Sequence, residues 1–138
     1  MMKTTVLLLS ILCFSHLAIA RSAAPENAEL YFISPTDGET VQNPVTIRFG
    51  LRNMGVAPAG TDIENTGHHH LLIDTELPDL DKPVPSDKNH MHFGKGQTET
   101  SIHLESGKHT LQLLLGDHTH IPHQPPLISE KITITVKQ

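Results

Sequence analysis

The 138-residue chain has no tryptophan, one tyrosine, four phenylalanines and a single cysteine. With aromatic side chains at only 4% of residues, the core has to be built from Leu, Ile and Val. The lone Cys13 falls in a segment with the features of a secretory leader, so the exported chain would carry no thiol. That excludes a disulfide framework, thiolate metal ligands and a cysteine nucleophile. Almost no stretch shows a 3.6-residue apolar period, which argues against helices. No apolar run reaches the roughly 20 residues of a membrane span.

The leader reading rests on three features. Lys3 supplies a positive start, residues 6–14 a short apolar core, and Ala18-Ile19-Ala20 a small-residue cleavage site. Leu12 precedes Cys13 where a lipoprotein signal wants a small residue, so lipid attachment is rejected. The expectation is residues 1–20 as signal peptide, 21–28 as a flexible lead-in and 29–138 as one domain. The product would be periplasmic or secreted, with no membrane anchor after cleavage. The whole chain has 10 Lys+Arg against 15 Asp+Glu, a net charge of −5, and loss of Lys3 takes it to −6. An acidic domain of this kind is a poor nucleic-acid binder, and its field mildly favours cations.

Strand-like segments recur at regular spacing, at residues 30–34, 45–51, 68–74, 98–104, 109–115 and 128–136. Val45, Ile47, Phe49 and Leu51 alternate with polar residues. So do Leu111, Leu113 and Leu115, and Ile132, Ile134 and Val136. Turn chemistry separates them, as at Pro35-Thr36-Asp37-Gly38 and Glu105-Ser106-Gly107-Lys108. The pattern predicts an all-β fold, an immunoglobulin-like antiparallel β-sandwich of about seven strands.

What the sequence has in abundance is histidine, 11 residues, and they come in runs. His68-His69-His70 lies in a predicted strand, where residues i and i+2 share a face roughly 6.5–7 Å apart. His68 and His70 therefore form a pair. His69 points the other way with Leu71 and Ile73, toward the core. His90-Met91-His92 closes a polar loop ahead of Phe93-Gly94-Lys95-Gly96, and Asp117-His118-Thr119-His120 opens a loop stiffened by Pro122, Pro125 and Pro126. Neutral imidazole is a borderline ligand suited to copper and zinc rather than to calcium or magnesium. The candidate metal ligands are His68, His70, His92 and His118, then His90 and His120. Copper ranks first and zinc second. Met91 reads as packing, and Asp117 either as a ligand or as a group that orients an imidazole. His123 is the weakest candidate. His109, in phase with Leu111, reads as scaffold and His103 as surface.

The chain resembles a family of small exported bacterial domains known only as domain of unknown function 4399. The resemblance is carried by Gly67-His68-His69-His70-Leu71-Leu72-Ile73-Asp74 and by His92-Phe93-Gly94-Lys95-Gly96-Gln97-Thr98-Glu99. It continues in Gly107-Lys108-His109-Thr110-Leu111-Gln112-Leu113 and in Gly116-Asp117-His118, and covers roughly residues 45–137. It implies an exported, sandwich-like domain and no particular activity.

Together these readings point to an exported metal-binding domain that carries or buffers a metal ion, with a periplasmic protein as its partner. No hydrolase nucleophile elbow is present, and the predicted first mature residue, Arg21, is not the histidine that an amino-terminal copper oxygenase needs. Enzymatic activity is therefore not expected. The alternatives are a metal-free module that binds protein or glycan through loops stiffened by histidines, a metalloenzyme, and a pH sensor. Whether the three clusters meet depends on the fold.

Overall fold

The computed structural model describes residues 20–137. The predicted leader, apart from Ala20, lies outside the described residues. Nine strands and no helix are present among them. Strand β1 is Glu29–Ser34, β2 Thr40–Gln42, β3 Val45–Arg52 and β4 Gly55–Val56. Then come β5 Thr66–Ile73, β6 His90–His92, β7 Glu99–Ile102, β8 Gly107–Gly116 and β9 Ile132–Lys137.

One sheet has the order β1-β3-β7 and is antiparallel. The other runs β2-β9-β8-β5-β4, and β6 also pairs with β5. Its long pairings, β5 with β8 and β8 with β9, are antiparallel, whereas β2 with β9 and β4 with β5 are short parallel pairs. The all-β sandwich is the expected one. Its strand count exceeds the expected seven because β2, β4 and β6, of two or three residues each, are too short to show alternation. The last strand begins at Ile132 rather than residue 128. Residues 127–129 instead track β8 irregularly, with Leu115 N–H donating to the Leu127 carbonyl and Ser129 N–H to that of Leu113.

The two sheets share one aliphatic core. Val45, Ile47 and Phe49 enter from β3, Leu111, Leu113 and Leu115 from β8, and Ile132, Ile134 and Val136 from β9, all of them buried. The intervening Thr46, Arg48 and Thr133 are exposed, as the period of two requires. Two strands break this pattern. Residues 67–73 of β5 and 111–116 of β8 are buried on both faces. The reason is a second apolar cluster on the outer face of the sheet, where Leu72 and Leu114 pack with Val84 and are flanked by Leu80 and Ile128. The long loop after β5 and the loop after β8 thus roof the outer face. A doubly covered strand needs no polar side, which explains Leu71-Leu72-Ile73 and Leu113-Leu114-Leu115.

Residues 21–24 lie along the loop after β8, with an Ala23–Gln124 bridge and a hydrogen bond from Ala24 N–H to the Gln124 carbonyl. No helix among the described residues is long and apolar enough to cross a membrane.

Leu113 is fully buried between the sheets. Leu113→Ala is expected to cost about 3 kcal/mol, because the cavity cannot collapse between two hydrogen-bonded layers. Chemical denaturation should show the midpoint falling at unchanged slope.

Candidate metal centre

Alternation along β5 divides the triple histidine. His69 joins Leu71 on the core side, its ring centroid 5.0 Å from that of Phe49, which in turn lies 4.8 Å from Phe93. His68 and His70 project to the outer face and yet are 0% and 1% exposed, because the loops close over them. Antiparallel pairing of β5 with β6 sets His92 directly opposite His70. The loop after β8 brings His120 to the same place.

The result is a cluster of four imidazoles. Ring centroids are 4.8 Å apart for His68–His70, 5.0 Å for His68–His92, 5.0 Å for His68–His120 and 5.2 Å for His70–His92. His92–His120 measures 4.8 Å, and His70–His120 is the longest at 6.2 Å. Within it, His68, His70 and His92 each offer a nitrogen, and these lie within 4.8 Å of one another.

Space for the rings comes from two glycines. A Cβ on Gly116 would stand 2.7 Å from His70 Cε1, and one on Gly94 would stand 2.6 Å from His92 Nε2. Any other residue at either position would displace a cluster ring.

Of the six candidate ligands, four meet and two do not. His90 shares a face with His92 but sits one strand repeat further on, beside Leu72, where its Nδ1 is 2.9 Å from Asp87 Oδ1. His118 faces outward, with Nδ1 3.5 Å from Asp62. The i, i+2 rule fails at His118 and His120 because the segment is a turn. His120 N–H donates to the Asp117 carbonyl at 2.9 Å, and His120 takes φ = 72°, so the two imidazoles diverge. His123, the weakest sequence candidate, is 1% exposed and pairs through Nε2 with the Thr66 carbonyl at 3.1 Å. His103 is exposed, and His109 is held by Asp74 and the Glu105 carbonyl.

Asp117 organises the turn rather than facing the cluster. One carboxylate oxygen accepts from Thr119 N–H, Thr119 Oγ1 and Ile121 N–H at 2.8, 2.7 and 3.1 Å. The other accepts from Ser22 Oγ at 2.7 Å. Burial opposes ionisation of this carboxyl, and the hydrogen bonds outweigh it, holding Asp117 below its ordinary range. Nothing in the local pattern signals that Ser22 and Arg21, about a hundred residues away, fasten this loop. A glycine directly before Asp117 and another two residues after His92 were the readable hints that rings needed room there.

Three rings of the cluster, His68, His70 and His92, are held neutral at pH 7. Burial first, then the neighbouring imidazoles, lowers His68 to about 4 and His70 to about 3 from an ordinary 6.5. Burial alone lowers His69 to about 4. His92 is lowered by burial and by His120. None of the ring nitrogens of His68, His69 or His70 has a hydrogen-bond partner. A groove of about 440 Å³ between β1 and the segment before β9 is lined by none of these histidines.

The metal-free protein should lose stability on acidification. Above pH 6.5 both folded and unfolded chains hold these imidazoles neutral. Between pH 6.5 and 4 the unfolded chain takes up protons that the folded chain refuses, so folding weakens as pH falls. His109 acts in the opposite sense: burial works against its protonation, but its bonds to Asp74 and the Glu105 carbonyl raise it overall. The net expectation near pH 5 is an uptake of roughly two to three protons on unfolding. Thermal melts of chelator-treated protein from pH 7.5 to 4.5 check this, and a flat profile would contradict the burial of the three imidazoles.

No curated protein matches the chain, and no solved structure does. A family model described as Domain of unknown function (DUF4399) matches residues 47–137, from within β3 to the end of β9, and so takes in all four clustered histidines. The chain belongs to the DUF4399 family.

Proposed function

We propose that this domain binds one first-row transition metal ion through His68, His70 and His92, with His120 as the fourth donor. The observation that carries this reading is the set of buried, unpartnered imidazole nitrogens on His68 and His70, facing a third histidine within 4.8 Å. Leaving a buried polar group unsatisfied costs about 1–3 kcal/mol. Two such rings, His68 and His70, packed against two further imidazoles are hard to explain as stabilising packing. A metal ion would satisfy one nitrogen on each, and neutral imidazoles need lose no proton to bind it.

Metal–nitrogen bonds of about 2.0–2.1 Å put the ring centroids of a tetrahedral four-imidazole site about 5 Å apart. Five of the six separations are 4.8–5.2 Å. A square of four imidazoles at the same bond length would have both diagonals at about 6.4 Å and sides at about 4.5 Å, as a tetragonal cupric site requires. Here the two candidate diagonals, His70–His120 and His68–His92, are 6.2 and 5.0 Å. The shape thus favours zinc or cuprous ion over cupric ion, although Irving–Williams order will still make Cu²⁺ bind strongly in vitro.

The role is carriage or buffering rather than turnover. With the predicted leader, it would be exercised in the periplasm or outside the cell, with a protein acceptor for the ion. The groove beside β1 and the smaller pocket at Thr61–Asn65 are lined by none of the four clustered histidines.

Protein purified without an affinity tag should contain zinc or copper, and the stripped form should take up about one equivalent of Zn²⁺ with submicromolar affinity. Excess Zn²⁺ should raise the melting temperature by mass action. His68→Ala with His70→Ala should abolish that rise without lowering the melting temperature of the metal-free form. Loss of stability in chelated buffer, with no metal-dependent rise in wild type, would instead mark the histidines as scaffold.

A further inference from the structure

We propose that His120 is a detachable ligand, and that residues 21–24 hold it at the site through Asp117 and the backbone of residues 122–124. This rests on the metal-binding reading above. The four donors are not mounted alike. His68 and His70 stand on a strand flanked by β8 on one side and β6 on the other, and His92 stands on β6 directly across from His70. Those three can move only if the sheet does. His120 stands on a turn, in a left-handed conformation that is uncommon outside glycine and in which asparagine, aspartate and histidine are the side chains most often found. Its centroid lies 4.8 and 5.0 Å from His92 and His68 but 6.2 Å from His70. A small shift of the turn either seats the ring or withdraws it.

Besides Asp117 and the lead-in, two backbone hydrogen bonds from other loops hold that turn. Gly60 N–H donates to the His118 carbonyl at 2.9 Å. Val84 N–H donates to the His120 carbonyl at 2.9 Å. Asp117 ties the turn internally and receives Ser22 Oγ at 2.7 Å. Arg21 Nε donates to the Pro122 carbonyl at 2.9 Å, and a second Arg21 nitrogen donates to the His123 carbonyl. Gln124 N–H donates to the Ser22 carbonyl at 2.9 Å. The segment is a strap across the base of the loop that carries His120. Arg21, Ser22 and Asp117 are therefore positioning residues for the fourth donor.

A site of this build has a closed state with four imidazoles and an open state with three. In the open state an incoming donor, from a chelator or from an acceptor protein, takes the vacated position and draws the ion off by ligand exchange. No oxidation or proton transfer is needed.

The test compares wild type with His120→Gly, which keeps the left-handed turn at no steric cost, with the double variant Arg21→Gln/Ser22→Ala, and with His118→Ala as the control in the same turn. Co²⁺ serves as the spectroscopic probe and transfer of Zn²⁺ to a chromogenic chelator as the kinetic one. Wild type should give the intense visible bands of tetrahedral Co²⁺. His120→Gly should still bind, but with weaker bands, and should surrender Zn²⁺ at least tenfold faster. The Arg21/Ser22 variant should move in the same direction, and should add nothing further when combined with His120→Gly. His118→Ala should match wild type. A His120→Gly protein that matches wild type in spectrum and transfer rate overturns the detachable ligand. An Arg21/Ser22 variant that matches wild type while His120→Gly does not overturns the strap. Failure of wild type to bind either ion removes the metal-binding reading itself.

Discussion

Everything about the cluster depends on how β5 is paired. It is hydrogen-bonded to β8 along six residue pairs and to β6 along three, so its side chains alternate between two faces with no latitude. One face is core. The other would be solvent in a simple sandwich, but two loops close over it and leave His68 and His70 buried. The same pairings bring His92 across from His70 and Gly116 across from His68. A site assembled this way inherits the rigidity of the sheet for three donors and leaves the fourth to a turn.

The energetics run against a purely structural account. An aliphatic pair at positions 68 and 70 would bury as much surface without unsatisfied nitrogens, and the outer-face cluster of Leu72, Leu114 and Val84 shows that this face accepts such packing. The chain places polar rings there instead, holds them neutral by burial, and clears room for them with glycines at 94 and 116. Local costs of this kind collect at functional sites. His69 differs: its ring packs on the core side against Phe49, its nitrogens have no partner, and nothing in the structure assigns it a ligand.

Much of this was legible beforehand, for identifiable reasons. The core-facing sets of β3, β8 and β9 follow a period of two in sequence and in space. The same parity assigned His68 and His70 to one face and His69 to the other. Legibility ended where local rules gave way to long-range ones. The strand rule says nothing about which member of a histidine pair meets the other rings in a turn; the sequence ranks His118 ahead of His120, and the turn closed by the Asp117–His120 hydrogen bond places His120 beside them. Short strands such as β6 owe their existence to a neighbour rather than to propensity. Composition makes the lead-in look flexible, because composition does not register Arg21 and Ser22 reaching a loop about a hundred residues away.

One further consequence follows from the run His68-His69-His70-Leu71-Leu72-Ile73. Read with a slip of one position, it is almost the same string: imidazoles on both faces, then aliphatics on both faces. Hydrophobic patterning, which locks most half-buried strands in place, therefore gives β5 almost no means of distinguishing the native alignment from its neighbour. The discrimination has to come from outside the run. Gly116 is the one residue of β8 opposite the histidines that lacks a side chain, and only in the native alignment does the His70 ring lie over it. The glycine that makes room for the site is thus also the mark against which the strand is aligned, and a side chain there would disturb strand alignment as well as the cluster.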